Sequence, residues 1–322
     1  MTILITGGAG FIGSHLVEQL LAATDEPLVV LDNLNDFYDP ALKRQNMAGW
    51  IDHPRVTFVE GDFCDPATCE RLLLDYPLSA ICHLGAAPGV PASLKQPRAC
   101  LETNVLGTLN LLEAARRRPV GRFLFASSST VYGKGAVAPF VEDAPLGVPA
   151  SPYGASKRSA ELLGLTYHQL YGVPFVSLRF FNVYGPRLRP DLALAVFTRA
   201  ILEGTPLPLF GDGSVLRDFT HVRDICRGIL AALAADELVG QCINLGHDRP
   251  VAIRDLIRMI EAAAGRPALI EHHPPRPEDM PLTHADLTKA RRLLGYEPQV
   301  AIEDGVREYV QWYARVRMGG PR

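Results

Sequence analysis

The 322-residue chain has six cysteines, Cys64, Cys69, Cys82, Cys100, Cys226 and Cys242, but no C-x-x-C pair, no apolar run near the length of a bilayer span and no surplus of positive charge. Each absence excludes a class. About 18 consecutive apolar residues are needed to cross hydrocarbon, so no membrane partner is expected. Lys and Arg number 32 against 35 Asp and Glu, a net charge of −3. No excess is left to neutralise a phosphate backbone, which argues against a nucleic-acid partner. Unpaired cysteines in a chain this long read as reduced thiols and not as a disulfide framework. The start, Met1-Thr2-Ile3-Leu4-Ile5-Thr6, has no basic stretch and no cleavage site, so a cytoplasmic chain without a signal peptide is expected. The nine histidines show no ligand spacing, and no metal is expected. Internal repeats and low-complexity segments are missing too. What remains is ordinary globular composition, 48 % apolar and 21 % charged, with enough Gly and Pro to imply many tight turns.

Short apolar runs at residues 3–6, 28–31, 56–60, 80–84, 123–127 and 175–181 alternate with stretches spaced by three and four. Leu16, Val17, Leu20 and Leu21 form one such stretch; Val105, Leu109, Leu112 and Ala115 form another. Strand–helix alternation predicts an α/β fold, a doubly wound parallel sheet with helices on both faces. After residue 185 the rhythm changes, with Pro186, Pro190, Pro206 and Pro208 punctuating helices and loops. A first domain over residues 1–180 and a smaller one over 181–322 are expected, with residues 241–246 returning as a strand to the first sheet. The Pro-rich residues 271–281 read as a loop.

Thr6-Gly7-Gly8-Ala9-Gly10-Phe11-Ile12-Gly13 follows the first strand and opens a helix. Gly8, Gly10 and Gly13 fit G-x-G-x-x-G, and Gly7, Gly10 and Gly13 fit G-x-x-G-x-x-G. Glycine permits the tight turn and lets backbone N–H groups approach a pyrophosphate at a helix N-terminus. Asp32 ends the second strand, where a carboxylate accepts from the ribose hydroxyls of NAD and repels the extra phosphate of NADP. Asp62-Phe63, after the third strand, is placed to border the adenine.

Tyr153-Gly154-Ala155-Ser156-Lys157 puts a phenol and an ammonium one helical turn apart. A nearby cation favours phenolate, a usable general base. The fifth strand ends in Ser127-Ser128-Ser129-Thr130-Val131-Tyr132-Gly133, and carboxyl ends of such strands face the ligand crevice. One hydroxyl there can share a reacting oxygen with Tyr153.

These motifs, with His83-Leu84-Gly85-Ala86-Ala87, Asn104-Val105-Leu106-Gly107-Thr108, residues 179–186 and Arg217-Asp218-Phe219, resemble the extended short-chain dehydrogenase/reductases, in their nucleotide-sugar epimerase group. The resemblance spans the whole chain. It implies a Rossmann-type domain binding NAD and a smaller C-terminal α/β domain binding a UDP-sugar. It implies Ser128, Tyr153 and Lys157 as catalytic residues. Gly7, Gly10, Phe11, Ile12, Gly13, Asp32, Asn33, Asp62, Phe63, Gly85, Ala86, Ala87, Asn104 and Phe180 would line the cofactor together with Tyr153 and Lys157. Ser129, Thr130, Asn182, Arg217 and Arg276 would line the substrate. A homodimer is implied as well, through helices near residues 105–118 and 154–171.

A narrower resemblance is to UDP-glucuronate 4-epimerases. It rests on residues 32–39, on Arg187-Leu188-Arg189-Pro190-Asp191-Leu192-Ala193 and on residues 279–286, and it implies that Arg189 clamps a sugar carboxylate. Two positions depart. Pro91 stands where that subfamily carries Arg, and Asn182 where it carries Thr, Asn being commoner in UDP-galactose-type enzymes. A neutral-sugar 4-epimerase, converting UDP-glucose or UDP-N-acetylglucosamine, is therefore the alternative. UDP-glucuronate decarboxylases and 4,6-dehydratases usually carry an acid before the Val-Tyr-Gly; here Ser129 and Thr130 stand there. A non-catalytic NAD-binding regulator would tend to lose Tyr153 or Lys157, and both are present.

Overall fold

The computed structural model describes residues 2–277, 279–317 and 319. The strands are β1 (Thr2–Thr6), β2 (Leu28–Asp32), β3 (Val56–Glu60), β4 (Leu78–His83), β5 (Arg122–Ser128), β6 (Phe175–Phe180), β7 (Val183–Tyr184), β8 (Pro206–Phe210), β9 (Leu216–Arg217), β10 (Thr220–His221), β11 (Cys242–Leu245), β12 (Val251–Ala252) and β13 (Leu269–His273). Seven of them make one parallel sheet in the order β11-β6-β5-β4-β1-β2-β3. β1, β2 and β6 are buried along their whole length, as strands covered on both faces must be. The order reverses between β1 and β4, and that switch point opens a crevice at the carboxyl ends of the strands.

The helices are α1 (Phe11–Ala23), α2 (Pro40–Met47), α3 (Pro66–Asp75), α4 (Val90–Lys95), α5 (Pro97–Leu101), α6 (Thr108–Arg117), α7 (Pro152–Tyr171), α8 (Ala193–Glu203), α9 (Val222–Ala234), α10 (Ile253–Ala264), α11 (Thr288–Leu294) and α12 (Ile302–Arg317). The longest, α7, has Pro152 in its first turn, the Ser151 hydroxyl accepting from Gly154 N–H at 3.2 Å, and Gly172 beyond its end in the left-handed region. It lies tight on β6, because a Cβ at Gly164 would meet the Phe175 ring at 2.1 Å. The buried pair Arg179–Glu161 joins the two elements, with Nε and Nη2 each 3.0 Å from a carboxylate oxygen. A residue left without that partner would be a buried unpaired charge, so the pair fixes how α7 sits.

Apolar side chains form two clusters, one against each face of the sheet. The larger runs on into α8, α10 and α12 of the C-terminal half. Asp218 pins that half together: its carboxylate accepts from the backbone N–H groups of His247 (2.7 Å), Asp248 (3.2 Å) and Ala285 (2.9 Å).

Two local readings are corrected. Residues 269–273 form β13, parallel to β8, and so take Glu271, His272 and His273 out of the stretch 271–281 read as a loop. A two-stranded sheet leaves one edge of each strand free, and such edges tolerate the prolines of β8 at 206 and 208. The helix near residue 105 begins as a π-helical turn over Glu102–Gly107 before α6 starts.

Candidate active site

Two adjoining cavities occupy the crevice. The first, of about 270 Å³, is lined by Gly7, Gly10, Phe11, Ile12, Gly13, Asp32, Asn33, Asp62, Phe63, Gly85, Ala86, Ala87, Tyr153, Lys157 and Phe180. Its floor is bare backbone. A Cβ at Gly13 would lie 2.2 Å from the Gly7 carbonyl oxygen, and one at Gly7 (φ +70°) 2.7 Å from the Gly85 nitrogen. The first N–H groups of α1 carry no side-chain cap and point where an anion would sit. Asp32 is buried and accepts from Ala9 N–H at 3.1 Å and Leu34 N–H at 2.9 Å, so it both braces the glycine turn and keeps lone pairs for a ribose. Burial pushes its pKa up. Asn33 donates to Asp62 at 3.0 Å. The narrow floor, uncapped donors and terminal carboxylate fit an adenine dinucleotide.

Asn104 does not line this cavity. It sits behind the wall, buried, accepting from Ala87 N–H at 2.7 Å and donating to Ala87 O at 3.0 Å and Ser156 Oγ at 2.9 Å. The π-helical turn presents it, a common use of such turns. Lys43 is an addition that sequence reasoning missed. Its ammonium lies 4.0 Å from Asp32 and donates to Asn35 at 2.8 Å, inside the same cavity. The only signal was a lysine in the first turns of a helix following Asp32.

The second cavity, of about 650 Å³, is lined by Ser128, Ser129, Thr130, Tyr153, Asn182, Arg189, Arg217 and Arg276, among others. Tyr153, Phe180 and Arg189 border both. The reactive groups meet here. Ser128 Oγ accepts from Thr130 N–H at 3.2 Å and Thr130 Oγ1 at 3.0 Å, which leaves its own hydrogen for the Tyr153 oxygen. Burial raises the pKa of Tyr153, while the charge of Arg189 and a hydrogen bond from Ser128 pull it back down. Lys157 donates to Ala126 O at 2.8 Å, lies 4.7 Å over the Phe125 ring, and is pushed down by burial to about 8. Arg189 is thus a cation near the phenol that the Tyr-x-x-x-Lys spacing did not point to, and Lys157 lines the same cavity as Tyr153.

Arginines dominate the rest of this cavity. Arg189 pairs with Asp191 and lies 5.4 Å over Phe37. Arg217 donates to Met280 O at 2.6 Å and to Asp279 at 3.3 Å, and Arg276 stacks 3.6 Å over Phe210. Asn182 accepts from Thr283 at 3.3 Å. Pro91 and Lys95, both on α4, complete one wall. Among the described residues, no group of three His, Cys, Asp or Glu side chains could hold a metal ion.

Residues 3–246 match the NAD dependent epimerase/dehydratase family. The chain belongs to that family. A UDP-glucuronate 4-epimerase of Thermodesulfobacterium geofontis is 40 % identical over 310 residues, covering 96 % of this chain and 95 % of that protein. Among solved structures, UDP-glucuronic acid 4-epimerase from Bacillus cereus, in complex with UDP-glucuronic acid and NAD, superposes with a TM-score of 0.93 at 36 % identity, covering 98 % of this chain and 100 % of that one. A family member of different chemistry, a dTDP-glucose 4,6-dehydratase from Streptomyces venezuelae with NAD bound, reaches 0.92 at 35 % identity, with 99 % and 98 % covered. Overall shape therefore does not separate the two reactions, and the side chains of the second cavity must.

Proposed function

We propose that this protein is an isomerase, an NAD-dependent UDP-sugar 4-epimerase whose first substrate is UDP-glucuronate and whose product is UDP-galacturonate. One observation carries the reading: Tyr153, Ser128 and Arg189 converge where the two cavities join. Gly7, Gly10, Phe11, Ile12 and Gly13 would hold the cofactor diphosphate, Asp32 and Asn33 its ribose, Asp62 and Phe63 its adenine. Gly85, Ala86, Ala87, Lys157 and Phe180 would wall the nicotinamide end. NAD, when bound, supplies a reversible acceptor for the C4 hydride, so that no net redox change accrues.

The chain's own groups do the rest. Tyr153, as phenolate, takes the proton of the sugar 4-OH, and Ser128 donates its hydroxyl hydrogen to the same oxygen. On return of the hydride to the other face, Tyr153 gives the proton back. Arg189 grips the sugar carboxylate, while Arg217 and Arg276 face the nucleotide diphosphate. The 4-keto sugar is a β-keto acid, and a carboxylate held by a guanidinium is restrained from the geometry in which CO₂ leaves. Dehydration would need an acid beside the sugar. Ser129 and Thr130 hold that place, and the cavity carboxylates Asp191 and Asp279 are both paired with arginines.

The cofactor half would comprise residues 1–180 with the strand near 241–246, and the substrate half the remainder of 181–322. Six free cysteines suit a reducing compartment, and we assign the protein to the cytoplasm. Among the described residues, no helix is long and apolar enough to cross a membrane.

The test is incubation of the purified protein with UDP-glucuronate and no added reductant, followed by NMR of the sugar. UDP-galacturonate as sole product is the expected result. Released CO₂ with a pentose overturns the epimerase reading, and turnover of UDP-glucose alone overturns the carboxylate preference. Tyr153→Phe should retain NAD and lose turnover by about 10²-fold or more.

A further inference from the structure

Asp191 has no structural duty that accounts for it. Helix α8 begins two residues later, and Leu192 occupies its cap position without any side-chain cap. The hydrogen bonds its carboxylate accepts come from Arg189 alone among the described residues: Nε to Oδ1 at 3.0 Å and Nη2 to Oδ2 at 2.8 Å. This is side-on, bidentate pairing, the geometry that fixes a guanidinium plane best. Pro190 stands between the two partners. It fixes its own φ and holds residue 189 extended, so the i, i+2 pair is set by the chain itself.

The guanidinium is also enclosed. Phe37 lies below it, and Gly89 stands beside Nη2, where an added Cβ would sit 3.6 Å away. After these contacts one corner is left. Nη1 makes no hydrogen bond among the described residues, and Arg189 borders both cavities. Asp191 takes one edge of the fork and leaves the other.

We propose that Asp191 is the positioning residue that gives this site its preference for an acidic sugar: it holds Arg189 side-on so that the Nη1 edge meets the sugar carboxylate already oriented. The inference deepens the substrate reading above and rests on it. A free arginine would lose the freedom of several torsions on gripping a carboxylate, and Asp191 removes that cost beforehand. A neutral sugar has no group for that edge, so its binding is indifferent to Asp191. The same contacts admit an opposite role, in which Asp191 merely competes with the substrate for the arginine. The free Nη1 edge argues against it, and the two roles differ in sign.

The experiment measures binding of UDP-glucuronate and of UDP-glucose by calorimetry, with NAD-loaded full-length protein carrying Tyr153→Phe to prevent turnover. Adding Asp191→Asn should weaken UDP-glucuronate on the order of fivefold and leave UDP-glucose within twofold. Asp191→Glu, which keeps the carboxylate, should recover part of the loss. Unchanged or tighter UDP-glucuronate binding in Asp191→Asn overturns the proposal, as does an equal loss for both sugars. Turnover by the wild-type protein is a separate reading. Carboxylate-selective binding without epimerisation would sink the reaction and keep the positioning role, and epimerisation with Asp191→Asn binding unchanged would do the reverse.

Discussion

Lys157 is a buried cation whose burden on the fold is legible in its titration. Burial pushes its pKa down to about 8 from an ordinary value of 10.5, so the unfolded chain holds the proton more tightly than the native one. Between those two pH values the unfolded state carries more protons, and this group's contribution to stability rises with pH. Below about 8 the charged form is present in both states, and the native state carries the full desolvation cost. Lys157→Met should therefore melt no lower than wild type at pH 7 in calorimetry, while its turnover falls about 10²-fold. As Lys157 loses its proton, kcat of the wild type should fall as pH rises through about 8, and Lys157→Met should lack that fall; a fall that persists in the variant would assign it to another group. The Tyr153–Lys157 spacing and the Ser128 strand end could be placed in one cleft from sequence, because each is a short-range pattern on a single element. Lys43 and Asp191 could not. What they do depends on a partner that only packing brings near: Asp32 for one, the free edge of Arg189 for the other.

At the scale of elements, the glycine turn is the part least open to change. At Gly13 an added methyl would meet backbone on two sides, the Gly7 oxygen at 2.2 Å and the Gly8 Cα at 2.7 Å, with no side chain able to yield. Gly13→Ala should destabilise the fold by about 1–3 kcal/mol and abolish NAD binding in a fluorescence titration. An NAD affinity equal to wild type would show that the turn can spread. Five of the six strands of the first half were readable as apolar runs because both faces of their sheet are covered, and β11 for the same reason; β3, at the sheet edge and without a buried residue, was readable from its Val-Thr-Phe-Val run alone. β8 and β13 were not: β13 is mostly exposed and β8 alternates with proline, so neither carries an apolar run. The leucines near residue 105 divide in a way sequence could not decide. Leu112 joins the core under the sheet, while Leu106 points outward.

For the whole molecule, several exposed large apolar side chains among the described residues lie on α4 to α7 and the turn between α5 and α6. Leu94, Leu101 and Leu106 are exposed there, with Leu162, Leu170 and Tyr171 of α7. We propose that these helices pair with a second copy, since they would bury what they now present to water. Wild type should sediment as two chains, and Leu162→Glu with Leu170→Glu as one. A wild-type mass of one chain would overturn the dimer.

The path of the chain between the halves has a further consequence. It leaves the main sheet after β6, builds β7 to β10 and α9, and comes back as β11 to bond the outer edge of β6 before leaving again. A chimera that joined these first 180 residues to a different sugar-binding half would strip β6 of its neighbour and leave a row of unpaired backbone groups along a buried strand. Recombination between relatives would instead find its tolerable breakpoint past Leu245, where the family match also ends, at residue 246. In lineages built on this topology, new sugar specificities would then arise by substitution within the crevice more readily than by exchange of halves.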